Sequence, residues 1–390
     1  MQQLLGNWSY PTAITFGAGS IDQLPEACKQ LGISKPLLVT DSALAKLEFV
    51  TRLIDANEQA GLTTSLYSDV KSNPTGSNVE EGVAAYKRGG HDGVIALGGG
   101  SALDAGKAIA LMIGQHRPMW DFEDIGDNWQ RVNADGIAPL IAIPTTAGTG
   151  SEVGRASVIV DETRQLKVII FHPEMLANRV IADPELTTGL PATLTAATGM
   201  DAFVHCLEAY CAKGYHPMAD GIALQGMTLI RHWLPVAFEH PDDLEARSHM
   251  LAASMMGAVA FQKGLGAVHA LAHPLGALYD KHHGLLNAIL LPYVLVHNRP
   301  AIEDRIGHVA RVLELDQASF DAFLQWILEL RTTLQIPNDL ESIGIDAGQS
   351  RRISEMAAAD PSAAGNPLLL TAAEYATVFE AAVKGRPAGR

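Results

Sequence analysis

The repeating pattern of the chain changes once, near Leu190–Pro191. Before that point, short β-rich segments alternate with helical ones: PLLVTD (36–41), GVIALGG (93–99) and PLIAIPTT (139–146). Such alternation is typical of βαβ units and a mostly parallel sheet. After Pro191 the segments are helix-forming only. We therefore predict an α/β domain with a Rossmann-like sheet at 1–190, an all-α domain at 191–390, and a functional site in the cleft between them.

Individual elements can also be predicted from this pattern. Helices are expected at Val79–Arg88 and Ser101–Ile113, and a hairpin is expected from ASVIVD (156–161) and LKVIIF (166–171), joined by ETRQ. In the second half, glycine and proline predict where helices are interrupted. The predicted breaks are Gly214, Pro241, Pro274, Pro292 and Pro337.

A run of small residues, Gly98-Gly99-Gly100-Ser101, ends a β-rich segment and begins a helical one. Backbone without side chains lets a pyrophosphate approach the first amides of a helix and the positive end of its dipole. The alternative is a plain strand-to-helix turn in which Ser101 and Asp104 form a capping box. The G-x-G-x-x-G fingerprint of dinucleotide-binding folds is absent here and at FGAGSI (16–21).

Histidines and one aspartate indicate a metal site. Asp201 precedes His205 by four residues, and four more histidines lie in residues 264–284, GLGAVHALAHPLGALYDKHHG. One carboxylate with several neutral imidazoles and no thiolate suits a catalytic divalent ion better than a closed structural site. A single histidine is more often a core or surface residue, but the clustering favours a metal. Spacing alone lets His269 and His273 share a helix face, and leaves His282 as a competitor of His283.

Four motifs in the same order resemble the iron-containing (group III) alcohol dehydrogenases. They are YPTAITFGAGSI (10–21), GGGSALDAGK (98–107), PTTAGTGSE (144–152), and the Asp-x-x-x-His, His-x-x-x-His and His-Gly series ending at Gly284. The resemblance runs through most of the chain. It implies four metal ligands, namely Asp201, His205, His269 and His283. It also implies that His273 lies near the nicotinamide as a catalytic residue without binding the metal.

One local feature supports a separate role for His273. It precedes Pro274, so we expect it at a helix end, pointing differently from His269.

The resemblance further implies that two loops bind the phosphates and the nicotinamide of NAD. The residues carried over for them are Gly98, Gly99, Gly100, Ser101, Thr145, Thr146, Thr149 and Ser151. Lys107 and Lys167 are weaker candidates, because an exposed lysine is usually only solvated. Asp41 ends a predicted strand, where a carboxylate can meet the adenosine ribose. In relatives an acidic residue there accompanies a preference for NAD over NADP; the alternative role for Asp41 is a helix N-cap.

The implied reaction is hydride transfer between NAD and a small primary alcohol or aldehyde, with Fe²⁺ or Zn²⁺ preparing the substrate oxygen. A dehydroquinate synthase-like lyase has the same fold, but the histidine block follows the alcohol dehydrogenases more closely. A metal-dependent hydrolase would leave both loops unexplained.

The substrate is less constrained than the reaction. Phe261, Ser362 and Arg155 are the candidate substrate residues. Relatives often carry Cys and then Asn-Pro-Arg where this chain has Ser362 and Asn366-Pro367-Leu368. Arg155 matches a carboxylate better than an alkyl alcohol, which makes a 4-hydroxybutyrate-type ω-hydroxy acid the alternative substrate. The competing role of Arg155 is a structural ion pair, for example with Glu152.

Composition excludes several kinds of partner. The net charge of −15 leaves no basic face for nucleic acid or an anionic membrane. Three cysteines in 390 residues indicate a reducing compartment without a disulfide framework. The N-terminal MQQLLGNWSYPT is not the pattern of a signal peptide. We therefore expect a cytoplasmic enzyme, a homodimer or a higher homo-oligomer.

Overall fold

The computed structural model describes Tyr10 and residues 12–386. The expectation about a signal peptide concerns mainly residues 1–9, which lie outside the described part. Contacts divide the described residues into two compact units. One comprises Tyr10–Thr146 and Gly150–Thr187, and the other comprises Ala147–Thr149 and the chain from Thr188 onward. The first is an α/β unit and the second is helical, as predicted.

The α/β unit is built on a six-stranded sheet in the order β1-β8-β5-β4-β2-β3, in which all paired strands are parallel. The strands are β1 (Ala13–Phe16), β2 (Pro36–Asp41), β3 (Ser65–Val70), β4 (Gly93–Gly98), β5 (Leu140–Pro144) and β8 (Arg179–Ala182). The helices between them are α1 (Leu24–Gln30), α2 (Glu48–Gln59), α3 (Gly76–Gly89) and α4 (Gly100–Met112).

The central strands of this sheet are apolar because both faces are covered. Leu38, Ile95, Ile141 and Ile181, one from each of β2, β4, β5 and β8, have no solvent exposure, as expected for a parallel sheet. The pattern predicted β2, β4 and β5. It missed β1 and β8, which have four residues each, and β3. Only half of β1 and β3 is shielded from solvent, so they lack a continuous apolar run.

The predicted hairpin is confirmed. Strands β6 (Ala156–Asp161) and β7 (Leu166–Phe171) pair in antiparallel register, with Ala156 opposite Phe171 and Asp161 opposite Leu166. The Asp161 carboxylate accepts hydrogen bonds from the amides of Thr163 and Arg164 in the connecting turn. These bonds explain why a polar segment closes the hairpin.

The helical unit contains α5 (Ala192–Cys211), α6 (Pro217–Glu239), α7 (Leu244–Ala260), α8 (Ala267–Tyr279), α9 (His283–Val312), α10 (Phe320–Thr333), α11 (Ser350–Ala359) and α12 (Ala372–Lys384). Breaks occur at Gly214, Pro241 and Pro337, as predicted. The breaks predicted at Pro274 and Pro292 are wrong, because both prolines lie inside helices, in α8 and α9. Both are buried, and each helix continues through its proline although proline removes one backbone hydrogen bond.

Two structural observations concern possible membrane spans and the state of the cysteines. Within the described residues, no single helix is both long and apolar enough to cross a bilayer; Leu244–Lys263 and Ala267–Tyr279 qualify only as a pair, by length and composition, and they meet at 107°. All three cysteines, Cys28, Cys206 and Cys211, are buried free thiols.

Candidate metal centre and cofactor loops

Three helices bring the proposed metal ligands together. Asp201 and His205 are one turn apart on α5, His269 lies in the first turn of α8, and His283 begins α9. The Nε2 atoms of His205, His269 and His283 lie 3.8, 4.0 and 3.7 Å from Asp201 Oδ1. Residues more than 60 positions apart therefore converge on one carboxylate oxygen.

The chemistry of this cluster fits a divalent ion. Metal–ligand bonds of about 2.1 Å in a tetrahedral site separate the ligand atoms by roughly 3.4 Å, close to the observed distances. Asp201, His205 and His269 are at most 5% exposed, and their donor atoms all lie within 4.8 Å of one another. Burial and the neighbouring His205 hold the pKa of His269 well below its ordinary value. The His269 ring is thus neutral at pH 7, the form that binds metals.

Asn287 is a further member of this cluster. It lies one turn after His283 on α9, and its Nδ2 donates to Asp201 Oδ1 over 2.7 Å. The same nitrogen is 3.2 Å from His269 Nε2 and 3.1 Å from His283 Nε2. Sequence analysis did not find Asn287, although its spacing of four residues from His283 places both side chains on one helix face.

Two carboxylates hold the outer nitrogens of the histidines on α8. His269 Nδ1 donates to Glu208 Oε2 over 2.6 Å, and His273 Nδ1 donates to Asp360 Oδ2 over 2.8 Å. Burial raises the pKa of Glu208 to about 7, against hydrogen bonds from the amides of Val268 and Gly266. Burial also disfavours the Asp360 carboxylate, but His273 and Ser362 outweigh this and lower its pKa. Neither carboxylate was identified from the sequence.

The expectation that His273 stands at a helix end is wrong. His273 and Pro274 lie in the middle of α8, because the helix continues to Tyr279. The His273 ring nevertheless differs in direction from that of His269: the two rings are inclined by 65° with centroids 5.9 Å apart. Its ring stacks on His283 at 5.4 Å and 14°. The bond to Asp360, rather than a helix end, orients His273.

The candidate substrate residues have different surroundings. The Phe261 ring lies 5.1 Å from the His205 ring, beside the metal ligands. Ser362 is buried, and its amide donates to Asp360 Oδ1 over 2.8 Å, so it contacts the carboxylate that holds His273. Arg155, in the α/β unit, places its guanidinium 5.6 Å from the centre of the Phe171 ring. The Arg155 charge also lowers the pKa of Asp124, against the larger raising effect of burial.

The glycine run forms the predicted strand-to-helix turn between β4 and α4. Gly98 has a φ of 146°, which side chains other than glycine rarely adopt. A Cβ at Gly99 would lie 3.3 Å from the Thr146 side chain, so the two predicted loops run side by side. The amide of Thr145 donates to the Gly98 carbonyl over 3.0 Å.

The alternative capping box at Ser101 and Asp104 is wrong. The N-cap of α4 is Gly99, which has no side chain to cap the helix, and the Ser101 hydroxyl donates to the Ser72 carbonyl. Asp104 instead accepts from Ser151 Oγ over 2.5 Å and from the Val158 amide over 2.9 Å. A helix that begins at a glycine without a capping side chain suits the approach of a phosphate to its first amides.

The two lysines differ in environment. Lys107 is 2% exposed; its Nζ lies 3.1 Å from Asp104 Oδ1 and also donates to the Ala156 carbonyl. The expectation of a solvated lysine is therefore wrong for Lys107, which fixes α4 to β6. Lys167 is half-buried on β7. Thr149 belongs with the helical unit, unlike Thr145, Thr146 and Ser151.

Asp41 is the last residue of β2, as predicted. Its Oδ1 accepts hydrogen bonds from the amides of Ala43 over 2.8 Å and Leu44 over 3.0 Å. These two bonds are of the capping kind that sequence analysis gave as the alternative role.

Comparison with known proteins identifies the family. The family model described as iron-containing alcohol dehydrogenase matches residues 11–184, and the one described as the C-terminal part of the Fe-containing alcohol dehydrogenase family matches residues 195–383. The chain belongs to the iron-containing alcohol dehydrogenase family. As a member, it is an oxidoreductase acting on CH–OH groups, as the motifs predicted.

Individual relatives of this alcohol dehydrogenase cover nearly its whole length. A 4-hydroxybutyrate dehydrogenase of Cupriavidus necator is 39% identical over 95% of this chain and 98% of its own. The crystal structure of a 1,3-propanediol oxidoreductase is 34% identical and superposes with a TM-score of 0.92, covering 97% of this chain and all of that one. A sulfoacetaldehyde reductase from Bifidobacterium kashiwanohense, solved with NAD⁺, is 28% identical with a TM-score of 0.88 and covers 97% of this chain and 98% of that one.

Proposed function

We propose that this chain is an NAD-dependent, divalent-metal-dependent dehydrogenase that interconverts small primary alcohols and aldehydes. The observation that carries the proposal is the convergence of three histidine nitrogens within 4.0 Å of Asp201 Oδ1. Asp201, His205, His269 and His283 would hold the ion. Nitrogen and oxygen donors of this kind suit Fe²⁺ or Zn²⁺, and zinc generally binds more tightly.

The residues around the ion have separate tasks. When bound, the ion supplies Lewis acidity that polarises an alcohol or carbonyl oxygen. His273, held at Nδ1 by Asp360, moves the alcohol proton toward solvent at Nε2. Phe261 beside His205 provides an apolar wall for the substrate, and Ser362 fixes Asp360.

Cofactor binding is assigned to the α4 turn and its neighbouring loop. Gly98, Gly99, Gly100 and Ser101 would receive the pyrophosphate, because the amides of an uncapped helix start attract anions. Thr145, Thr146, Thr149, Ser151 and Lys167 would line the nicotinamide side. Asp41 would contact the adenosine ribose and favour NAD. The NAD⁺ in the sulfoacetaldehyde reductase structure supports this choice of cofactor.

The proposal also assigns a role to each domain, a cellular location and an oligomeric state. Residues 1–190 would form the dinucleotide-binding domain and residues 191–390 the metal-binding and substrate domain. We also propose a cytoplasmic homodimer or higher homo-oligomer; the three free cysteines support the location.

The direct test is a panel of alcohols and aldehydes assayed with NAD(H) after the metal has been removed and replaced by Fe²⁺ or Zn²⁺. We expect turnover of short primary alcohols that disappears on chelation and returns with either ion. Turnover that survives complete metal removal would contradict the proposal.

A second candidate substrate is an ω-hydroxy acid such as 4-hydroxybutyrate. The similarity to the Cupriavidus necator 4-hydroxybutyrate dehydrogenase favours it, and Arg155 offers a cation for the carboxylate. The guanidinium is planar and can form two hydrogen bonds to a carboxylate.

Comparing butanol with 4-hydroxybutyrate in wild type and Arg155→Ala separates the two candidates. If Arg155 binds the carboxylate, the variant should lose about 2–5 kcal/mol in kcat/KM for the hydroxy acid, while butanol serves as the internal control. Equal losses for both substrates would show that Arg155 is structural, through Phe171 and Asp124, and would contradict the second candidate.

A further inference from the structure

Glu208 contacts the ring nitrogen of His269 that faces away from the proposed metal centre. It lies on α5, less than one turn after His205, and is 7% exposed. Its Oε2 accepts from His269 Nδ1 over 2.6 Å and from the Gly266 amide over 2.9 Å, and its Oε1 accepts from the Val268 amide over 2.8 Å. One carboxylate thus binds both the first turn of α8 and the ring that this turn carries.

Glycine at position 266 permits this arrangement. A Cβ at Gly266 would lie 2.8 Å from Glu208 Oε1, too close for the carboxylate to keep its place. The absence of a side chain at Gly266 therefore leaves room for the Glu208 carboxylate at the start of α8.

The bond to His269 has a chemical consequence. Both Glu208 oxygens accept backbone amide hydrogens, so the side chain is an acceptor toward His269 as well, which places the His269 proton on Nδ1 and the lone pair on Nε2. Nε2 is the atom that faces Asp201 Oδ1, at 4.0 Å. His205, in contrast, has no hydrogen-bond partner at Nδ1 among the described residues. Of these two rings, only that of His269 is held by a carboxylate.

We propose that Glu208 is a positioning residue for the metal site, which fixes the Nδ1–H tautomer and the ring direction of His269 so that Nε2 is ready to bind the ion. The inference rests on the proposed function, since it assumes that a divalent ion binds at this cluster. Carboxylates behind a ligating histidine generally raise metal affinity 10- to 100-fold.

The test uses Glu208→Gln with a matched control. Glutamine has nearly the same shape, but its amide group can donate to His269 Nδ1 and so favours the Nε2–H tautomer, which cannot bind a metal. Asn366→Ala is the control: Asn366 Oδ1 accepts from the Ala267 amide over 3.0 Å, so it caps the same helix without contacting His269 Nδ1. Thermal melting of the metal-free proteins compares how far each variant destabilises the fold.

Binding of Zn²⁺ alone, measured by competition with a chromophoric chelator, gives the main readout. We expect Glu208→Gln to weaken the Zn²⁺ Kd by roughly 10- to 100-fold and Asn366→Ala to leave it unchanged. An unchanged Kd in Glu208→Gln, or equal weakening in both variants, would overturn the inference. A wild-type protein that binds neither Zn²⁺ nor Co²⁺ would overturn the proposed function itself, and the inference with it.

A second measurement needs no variant of Glu208. Nitrogen-15 NMR of histidine-labelled, metal-free wild type, with the His269 signals assigned through His269→Gln, reports the tautomer directly. The Nδ1–H form supports the inference. The Nε2–H form would overturn it, even if Glu208→Gln did not fold.

Discussion

The carboxylate of Asp41 combines an observed structural contact with a proposed role in cofactor choice. Its Oδ1 accepts two amide hydrogen bonds, and its position at the end of β2 is where an adenosine ribose is bound in sheets of this kind. Asparagine keeps an oxygen for the amides but has no charge. Substitution can therefore separate the two roles.

Asp41→Asn and Asp41→Gly should both relax the preference for NAD over NADP. Repulsion between a carboxylate and a 2′-phosphate amounts to about 1–3 kcal/mol, or roughly 5- to 150-fold in relative kcat/KM. Only Asp41→Gly should also lower the melting temperature, because it removes the amide contacts. A wild-type enzyme that used both nucleotides equally well would contradict the assignment.

Several residues of the candidate site could be predicted and others could not. Asp201 and His205 share local helical spacing, and the histidine block is visible as a cluster. Glu208 and Asp360 carry no such signal, because their histidine partners lie 61 and 87 positions away in sequence. Such contacts form only when α5, α8 and the segment before Ser362 pack together. This packing cannot be predicted from any one of these segments alone.

Among the elements, α4 depends on close contact with β4. A Cβ at Gly106 would lie 2.4 Å from the Cβ of Ala96 and 3.3 Å from its Cα. The helix that starts at the proposed phosphate turn is therefore packed directly on the strand that leads into it. Small residues at 96 and 106 set that distance.

Gly106→Ala should destabilise the protein, by about 1–3 kcal/mol for an overpacked contact. Gly221→Ala is the matched control: Gly221 also lies inside a helix, α6, but an added Cβ there meets nothing within 4 Å. That change should raise stability by up to about 1 kcal/mol, because alanine is the better helix former. Chemical denaturation of both variants gives the comparison, and equal effects would refute the packing argument.

Proline shows why element boundaries were the weakest predictions. Pro241 separates α6 from α7, whereas Pro274 lies inside α8 and Pro292 inside α9. A local rule treats the three alike. Burial alone does not separate them either: Pro274 and Pro292 are buried, but the exposed Pro300 also lies inside α9.

For the whole molecule, the change of pattern near residue 190 predicted the fold class because strands and helices have different apolar periods. The grouping of Ala147–Thr149 with the helical residues could not be predicted from the local pattern. A Cβ at Gly148 would lie 2.6 Å from the Thr198 side chain, a close approach between distant segments. The proposed metal ligands belong to the helical unit and the proposed phosphate-binding residues 98–101 to the α/β unit, so the proposed metal ligands can be tested separately.

Metal content of purified variants tests the central claim most directly. Asp201→Ala, His205→Ala, His269→Ala and His283→Ala should each lose most of the bound metal and nearly all activity, as chelation of the wild type should, because each removes one donor from a shared ion. His273→Ala should keep its metal and lose turnover, because His273 is held by Asp360 and its proposed role is to move the proton rather than to bind the ion. Elemental analysis alongside the NAD-linked assay decides the matter: a His273→Ala protein without metal, beside a His283→Ala protein that retained it, would contradict the account.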